Sequence, residues 1–133
     1  MKKILTIDSS TRIKHVQTAF ADLFPFLKLE FFKTPQNHNT LSPKKEICLP
    51  NETVFNGDGH QTSLEIIFEN NMQVLELEAQ FANNTGLSAQ VFRRSGNVWI
   101  ETSLTDDWTL EQQNNEGELL STPIPIKSIE PKF

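Results

Sequence analysis

One pattern of apolar and capping residues occurs twice in this chain, and this repetition constrains the possible folds more than any other feature. Residues 3–25 align with residues 64–86 at a constant separation of 61 positions. Each copy contains a short apolar alternation, a pair of capping residues, a helical stripe, a helix breaker and a second alternation. Few aligned residues are identical, so the sequence alone does not establish common ancestry. The shared pattern predicts strand, helix and strand in each copy.

Each copy begins with alternate apolar residues, which lie on one side of a strand. These are Leu5 and Ile7 in the first copy, and Ile66 and Phe68 in the second. Apolar residues three or four positions apart follow, which indicates one buried face of a helix. They are Ile13, Val16, Phe20 and Leu23, and in the second copy Val74, Leu77 and Phe81. Both helices therefore need a sheet to cover their apolar stripes.

The ends of these helices are also predicted from residue type. A capping side chain is expected just before each helix, because serine and asparagine oxygens accept hydrogen bonds from a first helical turn. The candidates are Ser9 or Ser10, and Asn70 or Asn71. Pro25 cannot continue the first helix, and Gly86 suits the left-handed position after the second. The first helix is therefore predicted at 10–24.

The predicted elements suggest one α+β domain that spans residues 1–133. Copy one covers 3–33, with strands at 3–7 and 27–33, and copy two covers 64–94. Two tandem β-α-β units favour a ferredoxin-like arrangement, with one sheet and both helices on one face. The alternative is another α+β arrangement with the same strands in a different order. The long connection at 34–62 is atypical of the ferredoxin-like fold.

The connection at 34–62 is rich in turn-forming residues. Residues 46–49 and 53–55 within it are candidate short edge strands, and 56–59 reads Asn-Gly-Asp-Gly, a turn signal. Asn56, Asp58 and His60 alternate like part of a calcium loop, but the remaining ligand positions do not match. We therefore predict a turn there and no metal site.

A tight hairpin is predicted after the second copy. Gly96 and Asn97 separate two strand-like runs, 87–94 and 98–103. A turn at these two residues places Arg94 opposite Trp99, Arg93 opposite Ile100 and Phe92 opposite Glu101. Val91, Val98 and Ile100 are then expected to face the core, with Phe92, Arg94, Trp99 and Glu101 on the other side.

The C-terminal part of the chain is predicted to hold a short helix and an arm. Thr109 and Gln112 have the spacing of a capping box, which predicts a helix at 109–116 that ends at Gly117. Asp106 and Asp107 favour a helix N-terminus rather than acid–base chemistry, because adjacent carboxylates rarely converge on one atom. Residues 121–133 space isoleucines between prolines, so they either pack on their own domain or reach a partner.

Composition and motifs exclude several function classes. The formal net charge of −5 argues against nucleic-acid binding, since phosphates require a basic face. The single cysteine, Cys48, favours a reducing, cytoplasmic location, and no apolar run has the length of a membrane span. The sequence contains no phosphate-binding loop, dinucleotide fingerprint or zinc-ligand spacing. We therefore expect no catalytic residues, cofactor or metal, although an enzyme without a recognisable motif is not excluded.

A functional surface is expected on the sheet face that the two helices leave uncovered. Alternation places Phe32, Phe92 and Trp99 there, with Arg94, Glu101 and a further candidate, Ile67. Large apolar groups on such a face require a covering partner. The covering group is the C-terminal helix and arm, a second copy or another protein, or stacked RNA bases. We favour a protein-interaction or self-association module, with a homodimer as one form. Small-ligand or single-stranded RNA binding at the same face is the alternative.

Overall fold

The computed structural model describes residues 1–33, 46–55 and 63–122, and it has a mixed α+β fold with three helices and two antiparallel sheets. The strands are β1 (Lys2–Asp8), β2 (Leu27–Lys33), β3 (Glu46–Ile47), β4 (Ser63–Glu69), β5 (Ser88–Ser95) and β6 (Val98–Glu101). The helices are α1 (Ile13–Leu23), α2 (Val74–Thr85) and α3 (Leu110–Ser121), with a 3₁₀ turn at Ser103–Thr105.

The strands form two sheets, and the prediction of one sheet was wrong. Among the described strands, β1 pairs with β4 alone, whereas the second sheet has the order β3-β2-β5-β6. A single sheet would require the edges of the two sheets to pair with each other. Glutamine side chains from the helices form hydrogen bonds to those edges instead. Gln80 of α2 donates to the Ile67 carbonyl at 2.9 Å and accepts from the Ile67 N–H at 2.8 Å, and Gln17 of α1 donates to the Leu29 carbonyl at 2.9 Å. Backbone groups satisfied in this way have less need of a strand partner.

Equivalent strands of the two copies pair with each other. Leu5 is the register partner of Ile66, 61 positions later, and Glu30 is the register partner of Gln90, 60 positions later. In an antiparallel pair, the point where equivalent residues meet is the position of a twofold axis. Both strand pairs therefore place an approximate twofold axis between the two copies, through Glu30–Gln90 and Leu5–Ile66.

The correspondence extends past the predicted strand–helix–strand units. The Ile13 N–H donates to the Glu52 carbonyl at 2.8 Å, and the Val74 N–H donates to the Trp108 carbonyl at 3.0 Å. A short strand precedes each of these segments: β3 pairs with β2, and β6 pairs with β5. Each half is thus a β-α-β-β unit whose last turn bonds to the start of its own helix.

These backbone bonds explain why the predicted helix caps were wrong. The N-cap residues are Arg12 and Gln73, which lie two to three positions after the predicted serines and asparagines. Ser10 instead donates its N–H and its hydroxyl to the Asp8 carboxylate, at 2.8 and 2.6 Å. Carbonyls from a distant segment accept from the first helical amides, and the N-cap amides of Arg12 and Gln73 donate to the side chains of His15 and Glu76.

The core contains the predicted helical stripes. Ile13, Val16, Phe20, Val74, Leu77 and Phe81 are all fully buried. Phe20 packs edge-on against Phe68 of β4 with ring centroids 5.6 Å apart, and Phe81 packs edge-on against Phe31 of β2 at 4.8 Å. Edge-to-face contacts at such separations are favourable beyond the area they bury. The two helices therefore join the core faces of both sheets.

The hairpin has the predicted register, but part of its predicted core contact is absent. Phe92, Arg93 and Arg94 pair with Glu101, Ile100 and Trp99, and Gly96 has a φ of +63°. Val98 and Ile100, expected in the core, are 57% and 37% exposed, because β6 lies at the sheet edge beyond the buried stripes. β6 ends at Glu101, since the buried Thr102 turns inward and donates its N–H and hydroxyl to the Val91 carbonyl.

The C-terminal helix is longer than predicted. The capping box forms as expected, with Gln112 N–H donating to Thr109 Oγ1 at 3.1 Å and Thr109 N–H donating to Gln112 Oε1 at 2.8 Å. Gly117 does not end the helix, which continues to Ser121. Gly117 is instead a buried contact with Phe26 and Arg93. The glycine therefore serves close packing and not termination.

Some predicted segments are shorter in the structure than the sequence suggests, and others lie outside the described residues. Of the candidate edge strands, 46–49 retains two strand residues, and 53–55 retains a single bridge between Arg12 and Thr53. The turn at 56–59, with Asn56, Asp58 and His60, lies outside the described residues, as does the arm beyond Thr122. Ile67 belongs to the two-stranded sheet and does not share the face proposed for it.

Candidate interaction surface

Alternation along β2 and β5 separates a buried face of the four-stranded sheet from an open one. Leu27, Leu29, Phe31, Ala89 and Val91 are buried beneath the helices. The residues between them are only partly buried, and β6 extends the same side. We call this side the open face; it comprises Lys28, Glu30, Phe32, Ile47, Ser88, Gln90, Phe92, Arg94, Trp99 and Glu101. The predicted residues Phe32, Phe92, Arg94, Trp99 and Glu101 all lie on it.

All three described helices pack against the other side of this sheet, and one side chain of α1, Gln17, also reaches Glu30 on the open face. The apolar stripes of α1 and α2 are buried against its core face. α3 meets Arg93, which alternates with Phe92 and therefore points away from the open face: Arg93 Nη1 donates to Gln113 Oε1 at 2.9 Å. The Arg93 guanidinium also lies 5.7 Å from the Trp108 ring centroid. The short C-terminal helix thus does not cover Phe92 and Trp99, one of the explanations the sequence left open.

Two cations lie over the aromatic rings of the open face. Lys28 Nζ is 5.2 Å from the Phe92 ring centroid and 5.3 Å from that of Trp99. The predicted Arg94–Trp99 pair is present, with the guanidinium carbon 5.9 Å from the ring centroid. Arg94 Nε also donates to the Gly96 carbonyl at 2.9 Å, which fixes the side chain beside the turn. Cation–π contacts of this kind hold the rings and the charges in one layer.

Sequence reasoning missed Lys28 as a member of this cluster. Alternation alone places Lys28 on the same side as Glu30 and Phe32, but it does not reveal which strand lies beside β2. The register of β2 against β5 makes Lys28 the direct partner of Phe92. Opposite residues of neighbouring strands are within side-chain reach. A correct strand order would therefore have been the signal that identifies Lys28.

The centre of the open face is polar. Glu30 and Gln90 pair directly at the approximate twofold axis, with Phe32 and Phe92 at equivalent positions on either side. Gln17 Nε2 lies 3.4 Å from Glu30 Oε1, and Gln90 Nε2 donates to the Val91 carbonyl at 3.1 Å. The face therefore combines apolar rings with a central carboxylate–amide pair.

Charge on the open face is balanced, unlike that of the whole chain. Lys28 and Arg94 supply two positive charges, and Glu30 and Glu101 supply two negative ones. The chain has a formal net charge of −5. Balanced charge at a contact lets two acidic molecules approach with little local repulsion.

Cys48, a free cysteine outside the open face, is buried. Burial raises the pKa of the Cys48 thiol, and the Glu52 carboxylate raises it further. A raised pKa disfavours the thiolate, which is the nucleophilic form.

Within residues 1–33, 46–55 and 63–122, no three His, Cys, Asp or Glu side chains gather as metal ligands. No helix of the described chain has the length and apolar character to cross a membrane.

An ion pair between β2 and the segment after β3 belongs to the scaffold. Lys33 Nζ and Glu52 Oε1 are 2.6 Å apart, and Glu52 Oε2 accepts from the Leu49 N–H at 2.6 Å. The hydrogen bond from Lys33 lowers the pKa of Glu52, and the same bond raises the pKa of Lys33. The pair therefore ties β2 to the segment that bonds to the start of α1.

Comparison with known proteins adds no further information on the surface: the chain matches no protein-family model, no curated protein and no solved structure.

Proposed function

We propose that this chain is a non-enzymatic association domain that pairs with a second copy of itself through the open face. The observation that carries the proposal is the cluster of Phe92, Trp99 and Lys28, which lies on the sheet side opposite the three described helices. Tryptophan and arginine are the residues that most often anchor interfaces. Phe32, Arg94 and Glu101 extend the cluster into a surface of mixed character.

A second copy suits this surface better than an acidic or basic partner. The open face carries equal numbers of positive and negative side chains, so a like surface can offer each charge an opposite one. Closed twofold dimers are the commonest symmetric assembly of soluble proteins. The finer description of the fold, an internal repeat of one strand–helix–strand unit, is part of the same proposal. A cytoplasmic location is likewise proposed, from the single Cys48.

The test is the mass in solution of a double variant that removes the aromatic anchor and reverses a charge. Trp99→Ala with Arg94→Glu should lower the mass measured by light scattering towards that of a monomer while the circular dichroism spectrum is retained. Leu75→Ala with Lys3→Glu is the matched control, since Leu75 lies on α2, Lys3 lies on the two-stranded sheet, and both residues are exposed. It should leave the mass unchanged.

Three outcomes would overturn the proposal. A monomeric wild type, together with Trp99 emission in a Trp108→Phe variant that reports full burial, would show that the open face is covered within one chain. Binding of a single-stranded RNA oligonucleotide that weakens steeply between two salt concentrations would indicate the RNA alternative, because such binding releases counterions. Equal masses for wild type and double variant would also refute it.

A further inference from the structure

The approximate twofold axis of the chain relates the residues of β2 on the open face to those of β5. Glu30 and Gln90 lie at its centre, Phe32 and Phe92 occupy equivalent positions, and Lys28 is equivalent to Ser88. Directly across the β2–β5 pair, Lys28 is the partner of Phe92 and Phe32 is the partner of Ser88. Across the β2–β5 pair, each phenylalanine therefore faces a long flexible or a small side chain and not a second ring.

We infer that two copies pack open face to open face, about a twofold axis that runs parallel to β2 and β5 and passes between Glu30 and Gln90. This inference rests on the proposed self-association and specifies its geometry. Packed sheets keep their strand directions within about 30° of each other, which leaves two simple choices for such an axis: along the strands or across them.

The two axes differ in which residue of the partner lies opposite Glu30. An axis along the strands places Glu30 opposite the partner's Gln90, so the carboxylate accepts a hydrogen bond from an amide. An axis across the strands places Glu30 opposite the partner's Glu30. Two carboxylates facing each other in a desolvated centre are unfavourable, because a buried charge needs a hydrogen-bond donor or an opposite charge.

The same axis also matches the rings to their neighbours. With the axis along the strands, Phe92 lies opposite the partner's Lys28, and Phe32 lies opposite the partner's Ser88. Lys28 already lies 5.2 Å from its own Phe92 and 5.3 Å from Trp99. The partner's Phe92 would thus add a further ring to a cation that two rings hold in place, and Phe32 would face the smallest side chain on the open face.

Cross-linking at Ser88 distinguishes the two axes. Under the axis along the strands, the two Ser88 positions are offset sideways by one strand spacing, about 4.8 Å. Under the axis across the strands they are offset by four residues, roughly 14 Å. Ser88→Cys in a Cys48→Ala background is therefore treated with a short bismaleimide, since packed sheets lie about 10 Å apart. Ser63→Cys, on the two-stranded sheet, is the control for random collision.

We expect the Ser88→Cys dimer to cross-link on the order of 100-fold faster than Ser63→Cys, since thiols in a complex have local concentrations in the millimolar range. Equal rates for the two variants together with a dimeric mass would overturn the axis and leave the proposed self-association standing. Equal rates together with a monomeric mass would overturn the proposed function itself.

A second variant tests the axis without a cross-linker. Glu30→Gln replaces a charged hydrogen bond to the partner's Gln90 with a neutral one, which should weaken association by roughly tenfold. Under the axis across the strands, the same change removes a carboxylate–carboxylate contact and should tighten association. Tighter association of Glu30→Gln would therefore contradict the inference.

Discussion

Gly117 packs directly against Phe26: a Cβ atom at position 117 would lie 2.8 Å from the Phe26 Cβ and 3.0 Å from the Phe26 carbonyl oxygen. The contact joins the middle of α3 to the residue that precedes β2. Asn114, one turn earlier, accepts a hydrogen bond from the Phe26 N–H at 2.9 Å through Oδ1. A glycine at this position therefore lets α3 approach the sheet closely enough to form both contacts.

The first prediction concerns this approach. Gly117→Ala should destabilise the protein by about 1–3 kcal/mol, because the added methyl group clashes with backbone and Cβ atoms that cannot rotate away. An exposed helical glycine would instead gain up to about 1 kcal/mol on replacement by alanine. Urea denaturation measures the difference, with Glu118→Ala as control. A more stable Gly117→Ala protein would refute the packing.

The second prediction concerns the aromatic core. Phe20→Ala and Phe81→Ala should each lower the free energy of unfolding by about 3–5 kcal/mol, since both rings are fully buried against other phenylalanines. Leu75→Ala is the matched control on α2, because Leu75 is 51% exposed. Denaturant midpoints that are alike for Phe81→Ala and Leu75→Ala would contradict the role of α2 in the core.

The third prediction concerns the hairpin turn. Gly96→Val should cost at least about 1–2 kcal/mol, because Gly96 has a φ of +63°, which places a side chain against the following carbonyl. A valine adds the further restriction of a branched Cβ. Asn97→Val is the control, since of the described non-glycine residues none has a positive φ. Equal thermal shifts for the two variants would mean that the turn lies elsewhere.

The fourth prediction concerns pH. Glu52 has a pKa lowered from 4.5 by its hydrogen bond from Lys33, so its contribution to stability is complete above pH 4.5 and is lost as the pH falls through the lowered pKa. Lys33 has a pKa raised from 10.5, so its contribution is lost as the pH rises through the raised value. Glu52→Gln should flatten stability against pH in the acidic range, measured by urea midpoints. An unchanged slope would contradict the pair.

The sequence predicts the elements of this fold better than their arrangement. Helical spacing at Ile13, Val16 and Phe20 is a local property, and it located α1 within a few residues. The starts of the helices were misplaced because the Ile13 and Val74 amides bond to the carbonyls of Glu52 and Trp108, far along the chain. The number of sheets also depends on contacts between separate elements, because Gln17 and Gln80 form hydrogen bonds to strand edges that a single sheet would have to pair.

The candidate surface shows the same division. Period-two alternation placed Phe32, Phe92 and Trp99 on one side, and the two-residue turn fixed the Arg94–Trp99 pair. Lys28 and the Glu30–Gln90 centre depended on the pairing of β2 with β5, which no local pattern encodes. Val98 and Ile100 obeyed the alternation but lie beyond the buried stripes, so their exposure depended on where the helices end over the sheet.

The last prediction concerns Lys28. Lys28→Met keeps the length of the side chain but removes the charge that lies over Phe92 and Trp99. In a Trp108→Phe background Trp99 is the single tryptophan, so its emission reports directly on the loss of the neighbouring charge. Association should weaken by about 5- to 30-fold, because a cation–π contact is worth roughly 1–2 kcal/mol once it is desolvated.

Lys3→Met is the matched control, since Lys3 is exposed on β1 and therefore lies on the two-stranded sheet, away from the open face. It should change neither the emission nor the dissociation constant measured by analytical ultracentrifugation. A change in Trp99 emission without weaker association would show that the cation orders the rings of one chain but takes no part in the dimer. Stronger association of Lys28→Met would show that the Lys28 charge opposes pairing. If the partner places an aromatic ring at Lys28, removal of that charge can only weaken the dimer.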